Sequence, residues 1–217
     1  MSLVFAYDTY YLIALHVISI FILVLVNAAV WLKAKRIPLL YGYLTVQGIL
    51  LLWMTSKVLK TVAPNVQLKA IFVVCQYAGV CFLGEAFLVF SFLYSRGRMM
   101  PGKYVAALGV PSFVFLVALV TNPAHMLFYS RFDFWGDAFG PVFYVQQAYN
   151  YILIAVGMFL CAKTFGRQFG DRRNRWLLFS AAILIPLVVN IVYVFGWFKR
   201  VFGFSPPCDI TPISCNI

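Results

Sequence analysis

One carboxylate of this chain lies inside a long apolar run. Glu85 sits about fifteen residues into the stretch 70–95, which at 1.5 Å per residue puts it ~22 Å along a helix. A carboxyl group in that setting can carry a proton, pair with a cation, or stay protonated and hydrogen-bond a neighbouring helix. The other groups with chemical potential are sparse. The chain has two histidines, His16 and His125, and five cysteines, of which Cys75, Cys81 and Cys161 fall in apolar runs. Cys208 and Cys215 lie near the C-terminus, where a disulfide is permitted but not indicated. No Cys-x-x-Cys, His-Glu-x-x-His, Gly-x-Ser-x-Gly or glycine-rich phosphate loop occurs. The expectation is a chain with no catalytic residue, no metal and no cofactor.

Amides, hydroxyls and imidazoles inside apolar runs are the next signal, because each must find a partner or line a cavity. His16, Ser19 and Asn27 fall near one face at 100° per residue. Gln146, Gln147, Tyr149, Asn150 and Tyr151 open another run, with Gln146 and Asn150 one turn apart. Pro186, Asn190, Tyr193 and Trp197 form a stripe at spacings of four, three and four. Pro186 cannot donate to the carbonyl of Ala182, so a kink is expected there, either as a hinge or as static packing. Each of these polar groups can equally serve as a contact between helices.

Six apolar runs must position these residues, at roughly 11–32, 39–59, 70–95, 104–121, 143–162 and 176–197. Each is near the ~20 residues a helix needs to cross a bilayer. Strands of a membrane barrel would be half as long and alternate in polarity, so an all-α polytopic bundle of six spans is predicted. Composition agrees, with 64% hydrophobic and 11% charged residues, where a soluble domain carries ~25% charge. The residues before the first run include Asp8 and no Lys or Arg, so that run reads as a retained helix and not a cleaved signal peptide.

Lys and Arg accumulate in cytoplasmic loops. Eleven of the basic residues, from Lys33 to Arg36, Arg96 to Lys103 and Lys163 to Arg175, fall on one side, and six fall on the other: Lys57, Lys60, Lys69, Arg131, Lys199 and Arg200. The N-terminus is thus expected outside. The same asymmetry accounts for the net charge of +11 through topology and contacts with anionic lipid, and nucleic-acid binding is not expected. The polar groups then gather toward the outer side, which suggests a pocket open there. The connection at 122–142 also lies outside. Its aromatics and the turn signals Gly136-Asp137 and Gly140-Pro141 predict a short hairpin or lid, with an interfacial segment as the competing form.

Three strings resemble a known family: Thr121-Asn122-Pro123-Ala124-His125-Met126-Leu127-Phe128, Ile185-Pro186-Leu187-Val188-Val189-Asn190-Ile191-Val192-Tyr193, and Asp209-Ile210-Thr211-Pro212. In order and spacing they are similar to the N-terminal seven-transmembrane sensor region of bacterial histidine kinases. The resemblance implies an extracytoplasmic N-terminus, seven helices, and a signal passed to a cytoplasmic kinase or, in relatives, a cyclic-dinucleotide synthase. Met126 stands where members often carry a second histidine. The chain ends at Ile217, where the seventh helix would begin, so residues 1–217 read as a single sensor domain incomplete at its C-terminus.

The expected function is recognition of an extracytoplasmic small molecule or membrane state by a multi-pass protein of the bacterial cytoplasmic (inner) membrane. Candidate ligand contacts are Asn122, His125, Asn190, Asp209 and Thr211 from the family strings, together with Tyr193 from the stripe and Gln146 and Asn150 from polarity alone. His125 and Asp209 are expected to approach each other at the outer mouth, or else to be two separate solvated caps. The expected partners are the bilayer, an external small ligand, and a second copy through a cytoplasmic effector. The rival is a small proton-coupled transporter or channel that uses Glu85. A retinal-type photoreceptor is disfavoured, since no Lys lies near a span centre.

Overall fold

The structure is a computed structural model that describes residues 2–132, 137–168, and 184–194 apart from 186 and 193. Five of the expected spans appear in it as helices. They are α1 (Ser2–Lys33), α2 (Pro38–Val62), α3 (Val66–Arg96), α4 (Gly102–Val120) and, after a short α5 (Asn122–His125) and a hairpin, α6 (Pro141–Gln168). All five contain segments long and apolar enough to cross a membrane. Most of the sixth run lies outside the described residues; 184–185, 187–192 and 194 are helical.

Local chemistry sets the ends of these helices. Pro38 occupies the first turn of α2, where a missing N–H costs nothing. Asn65 caps α3, its side chain accepting from the Leu68 N–H at 2.8 Å. Gly97 ends α3 in the left-handed region at φ 66, donating back to the Leu93 carbonyl.

Helix α3 is the hub. Half of its span is buried inside the protein, against 11–33% for the others, and it packs on α2, α4 and α6 while α1 rests only on α2 among the spans it touches closely. Its contact with α6 runs in one direction along both chains: residue 84 meets 150, 91 meets 157 and 95 meets 164. The two helices are therefore parallel, as they must be if α4 crosses back between them. Small residues permit the approach. Gly84 lies against the Asn150 backbone, Gly157 against Phe87 and Ser91, and Thr164 donates to the Ser95 hydroxyl at 2.7 Å. Without a hydrophobic force between helices in lipid, such close backbone contact and small polar bonds are what hold them.

The predicted hairpin is formed. β1 (Tyr129–Phe132) pairs antiparallel with β2 (Asp137–Phe139), with a register shift between Tyr129 and Arg131. Its base is buried in aromatic side chains at the end of the bundle. Phe128 and Phe143 are almost fully buried. Tyr77 meets Phe128 edge-on at 5.0 Å between ring centres, and Phe139 stacks on Phe143 at 3.8 Å. Gly140 is required at the exit: its N–H donates to the Phe128 carbonyl at 2.8 Å, and a β-carbon there would collide with the Leu127 carbonyl.

The face of α1 predicted to look inward does so, with His16, Ser19 and Leu23 buried. Asn27 is half-buried and donates within its own helix, to Leu23 at 2.8 Å.

Candidate functional site

Three groups of polar side chains stand out in the described region, and the first surrounds the hairpin. Lys60 in the last turn of α2 and Lys69 in the first turn of α3 are brought together by the turn at 63–65. Both reach Asp137, at the start of β2. Lys60 Nζ is 2.8 Å from one carboxylate oxygen and Lys69 Nζ is 2.7 Å from the other. The three side chains retain 17%, 8% and 13% of their exposure respectively, so this is a partly dry double ion pair. Burial raises the Asp137 carboxyl, but the Lys60 charge and hydrogen bond, followed by those of Lys69, outweigh it and hold the group below the usual carboxylate range. Lys69 also lies 4.9 Å from the centre of the Phe132 ring, within cation–π reach.

In the same region Asn122 ties α5 to β1. Its carboxamide oxygen accepts from the Phe128 and Tyr129 N–H groups, each at 2.9 Å, and its NH2 donates to the Tyr129 carbonyl at 3.1 Å. These bonds engage the amide in holding the backbone. His125 does similar work nearby. Its Nδ1 accepts from the Leu127 N–H at 3.0 Å, which leaves the ring proton on Nε2, 3.1 Å from the Thr121 hydroxyl. That hydroxyl in turn donates to Val117 at 2.8 Å. Met126 between them takes the left-handed conformation at φ 53 and closes α5 by donating to the Asn122 carbonyl.

The second group lies between α3 and α6. Asn150 places its NH2 on the Val80 carbonyl at 2.8 Å and its oxygen 3.3 Å from the Gly84 N–H. One amide thereby spans a single i to i+4 step of the α3 backbone, a fit only a glycine at 84 allows. Tyr151 donates to the Asn190 carboxamide oxygen, joining α6 to the sixth run. Gln146, one turn before Asn150, is fully buried, and neither of its amide atoms has a hydrogen-bond partner among the described residues. In helical projection it lies on the α4 side of Asn150, toward the third group.

That third group surrounds Glu85. Its carboxyl packs against Gly109 of α4, beside Ser112 and near Tyr149. Tyr149 donates to the Leu108 carbonyl at 2.7 Å. Pro111 lies inside α4 and withholds a donor from the Ala107 carbonyl, so the helix opposite Glu85 is locally short of one bond. Glu85 Oε2 has no hydrogen-bond partner among the described residues.

Of the residues singled out by sequence, the structure therefore brings Asn122 and His125 together at the hairpin, and Gln146, Asn150 and Asn190 along α6. Pro186, Tyr193, Asp209, Thr211, Cys208 and Cys215 lie outside the described residues, as does the approach of His125 to Asp209. The pairing of Lys60 and Lys69 with Asp137 was not foreseen. A signal existed: the chain has only six acids, and two of them sit in the connection expected on the same side as those lysines.

Comparison with known proteins places this sequence in a family. No curated protein and no solved structure matched the chain. A family model described as the N-terminal 7TM region of histidine kinase matches residues 15–217. The chain, a multi-pass membrane region by its apolar helices, therefore belongs to the N-terminal seven-transmembrane regions of histidine kinases, which are sensory.

Proposed function

We propose that the chain perceives an extracytoplasmic small molecule or membrane state through the end of the bundle that carries the hairpin, and that movement there biases a histidine kinase joined to its C-terminal side. The observation that carries this reading is the mode of attachment of the hairpin. It is tied to α2 and α3 by one ion-paired carboxylate and to α3 and α6 by aromatic packing, so a change at one short element reaches two parallel helices that run the length of the membrane. A ligand shifts such a bundle only by its differential affinity for two states. The setting proposed is the bacterial inner membrane with the N-terminus outside, the bilayer as immediate partner, dimerisation through the effector, and no role for nucleic acid. Gln146 is the candidate contact, its amide having no hydrogen-bond partner among the described residues; Asn122, His125, Asn150 and Asn190 act through the elements they tie, with Tyr193, Asp209 and Thr211 proposed beside them.

The test is kinase output in the full-length protein in its membrane. A disulfide engineered to fix the hairpin to the α2–α3 turn should hold autophosphorylation at one level whatever the outer medium contains, and reduction should restore the response. Unaltered response with the crosslink complete would refute the reading.

A second reading is favoured by one observation, the buried Glu85, one of whose oxygens has no hydrogen-bond partner among the described residues, facing a weakened stretch of α4. Such a group suits proton coupling in a small transporter or channel. Proton-dependent uptake into liposomes, lost in Glu85→Gln, would establish it over the sensor.

A further inference from the structure

Two lysine side chains converging on the two oxygens of one carboxylate make a receptor for that group, whichever molecule supplies it. We propose that Lys60 and Lys69 form a binding site for small carboxylates, and that Asp137 is its built-in occupant, displaced when an external carboxylate binds. This deepens the sensor reading and rests on it for the biological output, though not for binding itself.

The geometry supports recognition of a carboxylate over a generic attraction to charge. Each ammonium takes a different oxygen, at 2.8 and 2.7 Å, so both oxygens of a planar group are read at once. Charge-assisted bonds of this length are the strong kind, and partial burial strengthens them further. The lysines are not long free arms. They project from the last turn of α2 and the first turn of α3 across a three-residue turn at 63–65, and the Phe132 ring flanks Lys69. Lys57, one turn before Lys60 and buried, lies on the same side of α2 and adds positive charge beside the site. A ligand with a second carboxylate gains from it.

The occupant is held by an element suited to release. The hairpin has strands of four and three residues with an irregular register, and two-stranded hairpins are marginal by themselves. A tethered carboxylate competes at an effective concentration in the millimolar range. A free carboxylate therefore binds with its intrinsic dissociation constant divided by the fraction of time Asp137 is away. The site would read abundant, millimolar carboxylates, and a dicarboxylate better than a monocarboxylate. On exchange the hairpin loses both ion pairs at its tip while Phe128, Tyr129 and Phe139 remain packed on Tyr77 and Phe143, and any shift of the strands is passed to α3 and α6.

The experiment uses the whole chain in nanodiscs, with succinate, acetate and inorganic phosphate titrated by calorimetry at constant ionic strength. Succinate should bind more tightly than acetate, and phosphate weakly. Asp137→Asn should tighten succinate by at least about tenfold, the tax removed when an occupant present more than nine-tenths of the time is lost. The double variant Lys60→Gln, Lys69→Gln should abolish binding, and Arg131→Gln on β1 should leave it unchanged. In the unaltered chain, saturating succinate should speed amide hydrogen exchange across 129–139, where an equal concentration of chloride does not. This readout stands even where a variant fails to fold. Asp137→Asn binding no tighter than the parent, binding that survives loss of both lysines, phosphate equal to succinate, or exchange that slows on binding would each overturn the proposal. Binding as expected, with no change of kinase output in the full-length receptor, would uphold the site and remove the sensor reading alone.

Discussion

Gly84→Ala should separate α3 from α6, and the structure gives the size of the effect. A β-carbon built at 84 lies 2.8 Å from the Asn150 side-chain oxygen, 3.0 Å from its carbonyl oxygen and 3.1 Å from its α-carbon. Ordinary carbon contacts lie at ~3.5–4.0 Å. Rotation of the Asn150 side chain removes the first clash but not the other two, which involve the α6 backbone. Relief requires α6 to retreat by about half an ångström, and a gap of that size forfeits about a quarter of the dispersion energy along the contact. The amide bridge from Asn150 to Val80 and Gly84 is lost with it, worth about 0.6–2 kcal/mol in a membrane interior. Overpacking of this kind costs about 1–3 kcal/mol. Alanine returns up to about 1 kcal/mol of helix propensity over glycine, so the net destabilisation expected is about 1–4 kcal/mol.

Two other glycines provide the comparison. At Gly48 nothing lies within 4 Å of a built β-carbon, so Gly48→Ala should show the propensity gain alone and be neutral or stabilising. At Gly157 the β-carbon meets the ring of Phe87 at 2.9 Å and the Ser91 hydroxyl at 3.0 Å, which are side-chain ends. Phe87 is only half-buried and can swing toward lipid. Reversible unfolding in bicelles should therefore rank the variants Gly84→Ala least stable, then Gly157→Ala, then Gly48→Ala. Equal stability of the Gly84 and Gly48 variants would refute the close contact of α3 with α6.

Four further outcomes follow from other contacts. Asn122→Ala leaves the buried Phe128 and Tyr129 N–H groups unsatisfied and should destabilise by about 2–4 kcal/mol, whereas His125→Ala should cost under about 1 kcal/mol; a thermal melt of the two variants separates them. Asp137→Asn should lower stability by about 1–3 kcal/mol at neutral pH, less than a fully buried pair would lose. Because the folded carboxyl is held below its ordinary value, that deficit should persist down to about pH 4 and close as the pH falls through the depressed value, measured as the gap in Tm between variant and parent across pH. Cysteines introduced at Ser2 and Ser205 should label from outside intact cells and one at Gly170 should not, given eleven basic residues on one side and six on the other; external labelling at 170 would reverse the orientation.

The five described spans were legible because length and apolarity suffice to place a membrane helix. The runs at 39–59 and 104–121 became α2 (Pro38–Val62) and α4 (Gly102–Val120) within a few residues. The hairpin was legible from Gly136-Asp137 and Gly140-Pro141, since turn residues report local conformation. The roles of the polar residues were not. Asn122 stood out through its family string and Asn150 by polarity, but neither signal distinguishes an amide that awaits a ligand from one engaged in holding backbone, and both are engaged here. The distinction depends on what lies opposite: for Asn150 a glycine 66 residues earlier, for Asp137 two lysines 77 and 68 residues earlier. One-dimensional periodicity carries no information about such pairs.

The distribution of strength along the bundle bears on how a signal could pass through it. Between α3 and α6 the contacts are glycine against backbone and hydroxyl against hydroxyl, from residue 84 to residue 95. Packing so close has few intermediate positions, because interdigitated surfaces are bistable and not continuously deformable. At the hairpin end the same two helices are joined through large rings of Tyr77, Phe128 and Phe143, which can tilt or slide past one another at small cost, and through an ion pair that an external anion can weaken. A perturbation at the hairpin is therefore absorbed first in the aromatic layer, and reaches the far end only when it is large enough to carry α6 as a unit relative to α3. Substitutions in the aromatic layer should consequently change how much stimulus is needed, while substitutions at Gly84 and Gly157 should change which resting state the bundle adopts.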